Sequence, residues 1–219
     1  MPLKTFHNLT EHRKMEILNT AIEEFAMNDY QSASISNVVK KLDISKGGFY
    51  RYFKDKKDVY LYLLDTILNL RLANTGELLD DTEIDFFESL ITNISLSIRF
   101  DLEHPMYSSF LYNALQERNS NVLGNIQLGL KKKLMASVQK AIMKQSGAGN
   151  IRNDVSLETM SFLIVEVHFS ILEYLSLKFD LNIRENIRLK NPVNSLPDNN
   201  IKKIVQDFVS LLKTGISKP

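Results

Sequence analysis

The sequence predicts an all-α protein with a sizeable core, and two observations favour this fold class. Apolar residues recur at helical spacing along most of the chain. Only 5 prolines and 8 glycines interrupt its 219 residues, which favours long helices over a turn-rich sheet architecture. Apolar residues make up 44% of the chain, enough for a sizeable core. We expect about nine helices in two domains, which cover residues 1–55 and 56–219.

Caps and apolar stripes place the first two helices. The first is predicted over about residues 10–28, with Asn8 or Thr10 as its N-cap. The second begins after Ser34, a favourable N-cap. Its apolar positions follow the i, i+3, i+4, i+7 pattern of one helix face: Ile35, Val38, Val39 and Leu42.

A short turn at residues 43–44 leads to a third helix, which Ser45 caps and which reaches Phe53. Residues 55–58 resemble another cap and open a fourth helix that extends toward Asn74. The domain boundary is placed within or just before this helix because the basic residues of the N-terminal part end there.

The remaining helices follow from stripes and chain breakers. Their predicted starts are Thr82 or Asp85, Pro105, about Val122, Ser156 and about Ile201. The helix that begins at Ser156 is apolar nearly all round as far as Phe179, so it must be covered on several sides. Residues 191–200, with two prolines, are predicted to form a loop.

Charge is concentrated in one segment of the chain. The net charge is only +1, yet residues 40–57 carry seven lysines and arginines against two aspartates. Clustered positive charge is typical of a surface that binds phosphates. A solvated basic face with no ligand is the alternative, and charge alone does not separate the two.

Two short helices joined by a tight turn form the smallest module that reads a DNA major groove. Ser45 can cap the second helix and donate to a phosphate, while Gly47 and Gly48 let its first turn approach a duplex closely. Arg51 can pair with guanine or with a phosphate. Tyr50 and Tyr52 can offer hydroxyls to phosphates or flat faces to thymine methyl groups. Two further aromatic residues, spaced i, i+4, are predicted to be core: Phe49 and Phe53.

Residues 10–62 closely resemble the TetR/AcrR family of bacterial regulators. The resemblance rests on FAMNDY at residues 25–30 and on ISKGGFYRYFKDKKDV at residues 44–59, where spacing, caps and aromatic residues agree together. It departs from the family at Asp43, where glycine is usual, and at Gly48, where Thr, Ser or Ala is frequent. Aspartate tolerates the left-handed conformation better than most residues, so the turn can survive.

The resemblance implies a transcriptional repressor that binds double-stranded operator DNA as a homodimer, paired through the last two helices. The implied DNA-binding residues are Ser34, Ser45, Lys46, Gly47, Gly48, Tyr50, Arg51, Tyr52 and Lys56. It also implies a small-molecule effector site in the C-terminal domain, for an apolar or aromatic ligand. Its candidate residues are Phe100, His104, Tyr107, Phe110, Leu111, Glu166, His168 and Phe169, with Phe86 and Met160 as further apolar candidates.

Composition and motifs argue against other functions. The chain has no cysteine, which excludes disulfides and thiolate chemistry. Its four histidines lack metal-ligand spacing, the acidic pairs at residues 23–24 and 80–81 are expected on solvated faces or in loops, and no cofactor motif occurs. The N-terminus lacks an apolar signal segment, and the apolar run at residues 162–169 is too short and polar to cross a membrane, so we expect a cytoplasmic protein. A helical ligand-binding or adaptor protein whose helix-turn-helix no longer binds DNA is the alternative.

Overall fold

The computed structural model describes residues 2–76, 85–117, 121–146, 151–180 and 196–216. These residues form ten helices, which confirms the predicted all-α class. The helices are α1 Lys4–His7, α2 Glu11–Met27, α3 Ile35–Lys41, α4 Lys46–Phe49, α5 Lys56–Thr75, α6 Phe86–Glu103, α7 Pro105–Gln116, α8 Ile126–Ser146, α9 Leu157–Phe179 and α10 Asp198–Ile216.

The described residues divide into two compact units. One lies within residues 1–70 and 104–127, and the other within residues 71–103 and 128–219. The division falls inside α5, after Leu70. We expect residues 1–55 to bind DNA and residues 56–219 to bind the effector and to dimerise. This division of functions stays a prediction.

Most predicted helix starts are confirmed by side-chain caps. The Ser34 Oγ accepts the Ser36 N–H at 3.2 Å, and the Ser45 Oγ accepts the Gly48 N–H at 3.0 Å. The Ser156 Oγ caps α9 in the same way, at 3.1 Å from the Thr159 nitrogen. Each cap satisfies one of the N–H groups that the first turn of a helix leaves without a partner.

Several predicted boundaries differ from the structure. The short helix α1 was not predicted, and Asn8 ends it instead of capping α2, whose cap is Thr10. The helix α4 ends at Phe49 because residues 50–52 form a turn. Two further boundaries are corrected: α8 begins at Ile126, with Val122 exposed in a turn, and residues 198–200 belong to α10 instead of the predicted loop. Thr82, Ile84 and residues 147–149 lie outside the described residues.

Aromatic side chains hold the core of the first unit. The Phe25 ring meets the Tyr60 ring edge-on at 5.1 Å between centroids, and Phe110 lies 5.0 Å from Tyr60. Phe49 and Phe53 are completely buried, which confirms them as core residues. The one-turn helix α4 is thereby anchored on its apolar side.

Two polar side chains of α7 hold the C-terminal end of α2. The Asn113 Nδ2 donates to the carbonyls of Phe25 at 2.9 Å and Ala26 at 3.1 Å, and the Ser109 Oγ donates to Ala26 O at 2.7 Å. Carbonyls in the last turn of a helix lack partners within that helix. These side chains supply partners in a buried environment, so they fix the point where the chain leaves α2 for α3.

The second unit has an aliphatic core. Its members come from α6, α8, α9 and α10 and include Ile94, Ile98, Val138, Ile164, Val165, Val205 and Val209. Five residues at helical spacing in α6 and α8 are buried, as their spacing predicts: Ile91, Ile94, Ile98, Val138 and Ile142. Val205 and Val209 lie one turn apart on α10, as expected for a helix with one buried face.

We expect Asn113→Ala to lower the free energy of unfolding by about 1–3 kcal/mol, because it removes the side-chain donor of the Phe25 carbonyl, whereas Ala26 keeps the Ser109 hydroxyl. Thermal and urea unfolding measure this change. The matched control is Asn19→Ala, at an exposed position on α2, which should change stability by less than about 0.5 kcal/mol. Equal effects of the two variants would contradict the role given to Asn113.

Candidate functional site

The turn between α3 and α4 contains a residue in the left-handed conformation. Asp43 has φ of 52°, a region that non-glycine residues seldom occupy. The next residue returns to helix α3, since the Ile44 N–H donates to the Val39 carbonyl at 3.1 Å. Aspartate thus adopts the left-handed conformation in this turn, as its tolerance of that conformation predicts.

The two glycines of α4 have different surroundings. A Cβ added at Gly47 would have no heavy atom within 4 Å, so this position faces open space. A Cβ at Gly48 would lie 3.2 Å from the Ser45 Oγ, which is tight against the capping hydroxyl. Both positions leave the first turn of α4 bare, with exposed Lys46 beside them.

Some cations of the basic cluster at residues 40–57 bind to another group of the protein, and others do not bind to any described residue. Lys41 pairs with Glu23 at 2.9 Å, and the Lys57 Nζ donates to the Val122 carbonyl at 2.5 Å. Four exposed cations form no ion pair with any described residue: Lys40, Lys46, Arg51 and Lys54. These four are available to phosphates.

The Lys56 ammonium forms hydrogen bonds within the first unit. Its Nζ donates to the carbonyls of Gln31 at 3.1 Å and Ala33 at 2.6 Å, and it lies 4.6 Å above the centre of the Tyr30 ring. Burial lowers its pKa, although nearby carboxylates oppose that change. Lys56 therefore ties the start of α5 to the segment that leads into α3, and only its third N–H is left for a phosphate.

Glu24 corrects one expectation. It was expected on a solvated face with Glu23, but only 6% of its surface is exposed. Its Oε1 accepts the Ser34 N–H at 2.8 Å and the Asn37 Nδ2 at 3.1 Å. A buried carboxylate needs such donors, and here they hold the N-terminal end of α3. The residues at 80–81 lie outside the described part of the chain.

The side chains around the end of α4 present both polar and aromatic surface. Arg51 is exposed, whereas Tyr50 and Tyr52 are half-buried. The Tyr50 ring stands edge-on to Phe49 at 6.0 Å, and the Tyr52 ring stands edge-on to Phe6 at 6.3 Å. Packing thus orients both tyrosines and leaves part of each accessible.

The predicted effector residues do not form a single group in the structure. Phe110 and Leu111 are buried in the first unit, where the His104 ring also stacks on Tyr107 at 5.5 Å. Phe100 is buried in the second unit. The Glu166 carboxylate pairs with Lys131 at 2.5 Å, close to Phe169, whose ring lies 5.7 Å from the Lys131 Nζ.

His168 lines a small cavity of the second unit. Asn93 and Ser137 contribute the other polar groups of its lining. The rest of the lining is aliphatic and consists of Leu90, Leu134, Val138, Ile164 and Val165. Burial, and secondly the charge of Arg71, lower the pKa of His168 to about 3. The imidazole is therefore neutral at physiological pH, so it can both donate and accept a hydrogen bond.

Comparison with known proteins places residues 17–63 in a family model described as bacterial regulatory proteins of the tetR family. This segment contains α3, α4 and the turn between them. A crystal structure of a TetR family transcriptional regulator from Chloroflexus aurantiacus superposes with a TM-score of 0.79 and 26% identity, over 100% of both chains.

The curated relatives match shorter parts of the chain than this crystal structure does. The fatty acid metabolism regulator protein of Bacillus subtilis is 25% identical over 112 residues, which are 49% of this chain and 54% of that protein. The uncharacterized HTH-type transcriptional regulator YuxN of the same organism is 41% identical over 49 residues, 22% of this chain and 17% of that protein. The chain thus spans about half the length, or less, of the curated relatives it matches.

The neutral state of His168 predicts a pH dependence of stability. Below its ordinary pKa near 6.5 the unfolded chain protonates this residue, while the folded chain resists protonation down to a pKa of about 3. The unfolded state then binds more protons, so the free energy of unfolding falls as pH drops, by up to about 1.4 kcal/mol per unit from this group.

Urea unfolding at several pH values between 6.5 and 4.5 tests this. His168→Gln should show a shallower loss of stability than the wild type, whereas the exposed His12→Gln control should keep the wild-type slope. Identical slopes in all three proteins would mean that His168 is not held neutral.

Proposed function

We propose, on the premise that this chain belongs to the TetR family of transcriptional regulators, that it is a dimeric repressor that leaves its operator when a small effector binds. Regulators of this family are non-enzymatic. The observation that carries DNA binding is the group of exposed, unpaired cations around the bare first turn of α4. Such a surface attracts the phosphate backbone and lets a helix approach base edges.

The proposed contacts divide by chemistry. Lys46, with the hydroxyls of Ser34 and Ser45 and the backbone N–H of Ser45, contacts phosphates. Arg51 is the proposed base reader because it is exposed and its guanidinium matches the two acceptors of guanine in the major groove. Tyr50 and Tyr52 add hydroxyls at the edge of this surface. Gly47 and Gly48 keep it clear of side chains.

Lys56 contributes mainly as a support. Two of its three N–H groups face carbonyls of residues 31 and 33, so its contact with a phosphate uses the third. Its replacement should therefore weaken DNA binding and protein stability together. A purely phosphate-contacting lysine such as Lys46 should affect DNA binding alone.

A second copy of the chain is the proposed cover for α9 and α10. Both helices expose large apolar side chains, with Leu177 79% and Leu211 74% exposed. The apolar run at residues 162–169, too short to cross a membrane, is only part of α9. By length and composition, the whole of α9 is apolar enough to cross a membrane, and 33% of its most apolar 18-residue stretch is buried. Pairing of two copies removes the exposed apolar surface from water without a membrane.

The proposed effector is small and mainly apolar, with one hydrogen-bonding group. The aliphatic lining of the cavity and the neutral His168 support this chemistry, with Asn93 and Ser137 as further partners. The cavity has a volume of about 40 Å³, so it must enlarge to hold an effector. Release of the operator requires that the effector favour a state with weaker DNA binding. A 100-fold loss of DNA affinity corresponds to about 2.7 kcal/mol of coupling, and DNA must weaken effector binding by the same factor.

An adaptor protein with an inactive helix-turn-helix is the competing function. It would have no need for unpaired cations beside α4. Salt-dependent binding to duplex DNA separates the two, because only the repressor releases counterions on binding.

The proposed roles of Lys46 and Arg51 predict different effects on DNA binding. Lys46→Ala should weaken binding to operator and random duplexes alike, and it should reduce the slope of log K against log salt by about 0.9 per chain. Arg51→Ala should cost about 1–3 kcal/mol per half-site on the operator and less on random DNA. Fluorescence anisotropy at several salt concentrations measures both.

The exposed Lys132→Ala in α8 serves as the charge-matched control and should leave both quantities unchanged. The base-reading role of Arg51 fails if its variant weakens operator and random duplexes equally. The phosphate role of Lys46 fails if its salt slope equals that of the Lys132 control.

A further inference from the structure

The N-terminal segment Leu3–His7 lies against the turn that follows α4. The Leu3 N–H donates to the Tyr52 carbonyl at 2.8 Å, and the Thr5 hydroxyl donates to the Arg51 carbonyl. Phe6 is 1% exposed, and its ring centre is 5.1 Å from that of Phe53. The segment is thus attached by two hydrogen bonds and one buried ring.

This attachment acts on the part of the chain that has the least support of its own. The helix α4 spans only four residues, and a single helical turn is not stable by itself. The two carbonyls that receive the N-terminal donors belong to Arg51 and Tyr52, just beyond its end. The backbone conformation at Arg51, and with it the orientation of the Arg51 side chain, therefore depends on Thr5, which lies 46 positions earlier in the chain.

Lys4 stands between the two attached residues. It is exposed and forms no ion pair within the described part of the chain. Leu3 and Thr5 on either side of it bond to the carbonyls of Tyr52 and Arg51, so Lys4 adds a positive charge next to the turn at residues 50–52.

We propose that Leu3–His7 is part of the DNA-binding surface. Thr5 is a positioning residue that orients the Arg51 turn, and Lys4 is an additional phosphate contact. The inference rests on the proposed operator binding, and it extends that surface beyond the helix-turn-helix to a segment that the family model, at residues 17–63, does not include.

The experiment measures binding of full-length variants to an operator selected by the wild-type protein and to a random duplex. Thr5→Val should reduce the preference for operator by about fivefold or more per chain, as expected for one lost hydrogen bond. Thr5→Ser, which retains the hydroxyl, should restore it. The control Thr20→Val removes a hydroxyl that donates to the Glu16 carbonyl at 2.8 Å in α2, and it should leave the preference unchanged.

Lys4→Gln tests the charge. It should weaken both duplexes equally and lower the salt slope by about 0.9 per chain, whereas Lys132→Gln should not. The Thr5 role is overturned if Val and Ser variants have the same preference, and the Lys4 role is overturned if its slope equals the control's. A wild-type protein that selects no duplex sequence overturns the proposed function itself, while normal selection with silent variants overturns only this inference.

Discussion

The shortness of α4 is the constraint on which the proposed DNA-binding surface depends. The helix α4 has one turn and contains two glycines, so it lacks both length and helix propensity. Its geometry must come from outside. Burial of Phe49 and Phe53 fixes its apolar side, and the Ser45 hydroxyl caps its start. Polar contacts of Glu24 and Lys56 hold the segment that leads into α3 and the start of α5. The first turn of α4 can therefore lack large side chains and still keep a fixed geometry.

Those supporting contacts explain why the basic segment contains two kinds of cation. Lys56 and Lys57 donate to backbone carbonyls and hold parts of the first unit together. Lys46 and Arg51 remain exposed without an ion partner among the described residues. A count of charges treats all four alike, although only the second pair keeps its full capacity for phosphates or bases. The structure thus narrows the predicted DNA surface and assigns much of the remaining charge to support.

Local patterns predicted the elements whose causes are local. The hydroxyls of Ser34 and Ser45 cap helices that begin one residue later, and the spacing of Phe49 and Phe53 indicated burial. The contacts of Glu24 could not be predicted in this way, because a charged residue is buried only when folding supplies donors, here from α3. Partners that are 88 residues apart, such as Asn113 and Phe25, leave no periodic signal at all. The effector residues were chosen as aromatic, apolar or polar side chains within apolar segments, which does not separate a cavity wall from a core: His168 lines a cavity, whereas Phe110 is core.

In the proposed complex, two copies of the chain present two α4 helices to one duplex. Hydroxyl-radical footprinting of an operator selected from random sequence, combined with the mass of the complex in solution, tests it most directly. We expect two protected half-sites related by two-fold symmetry, about one helical turn or more apart, with an even number of chains per duplex. One asymmetric protected half-site bound by a single chain, or no protection beyond that of random DNA, would contradict it.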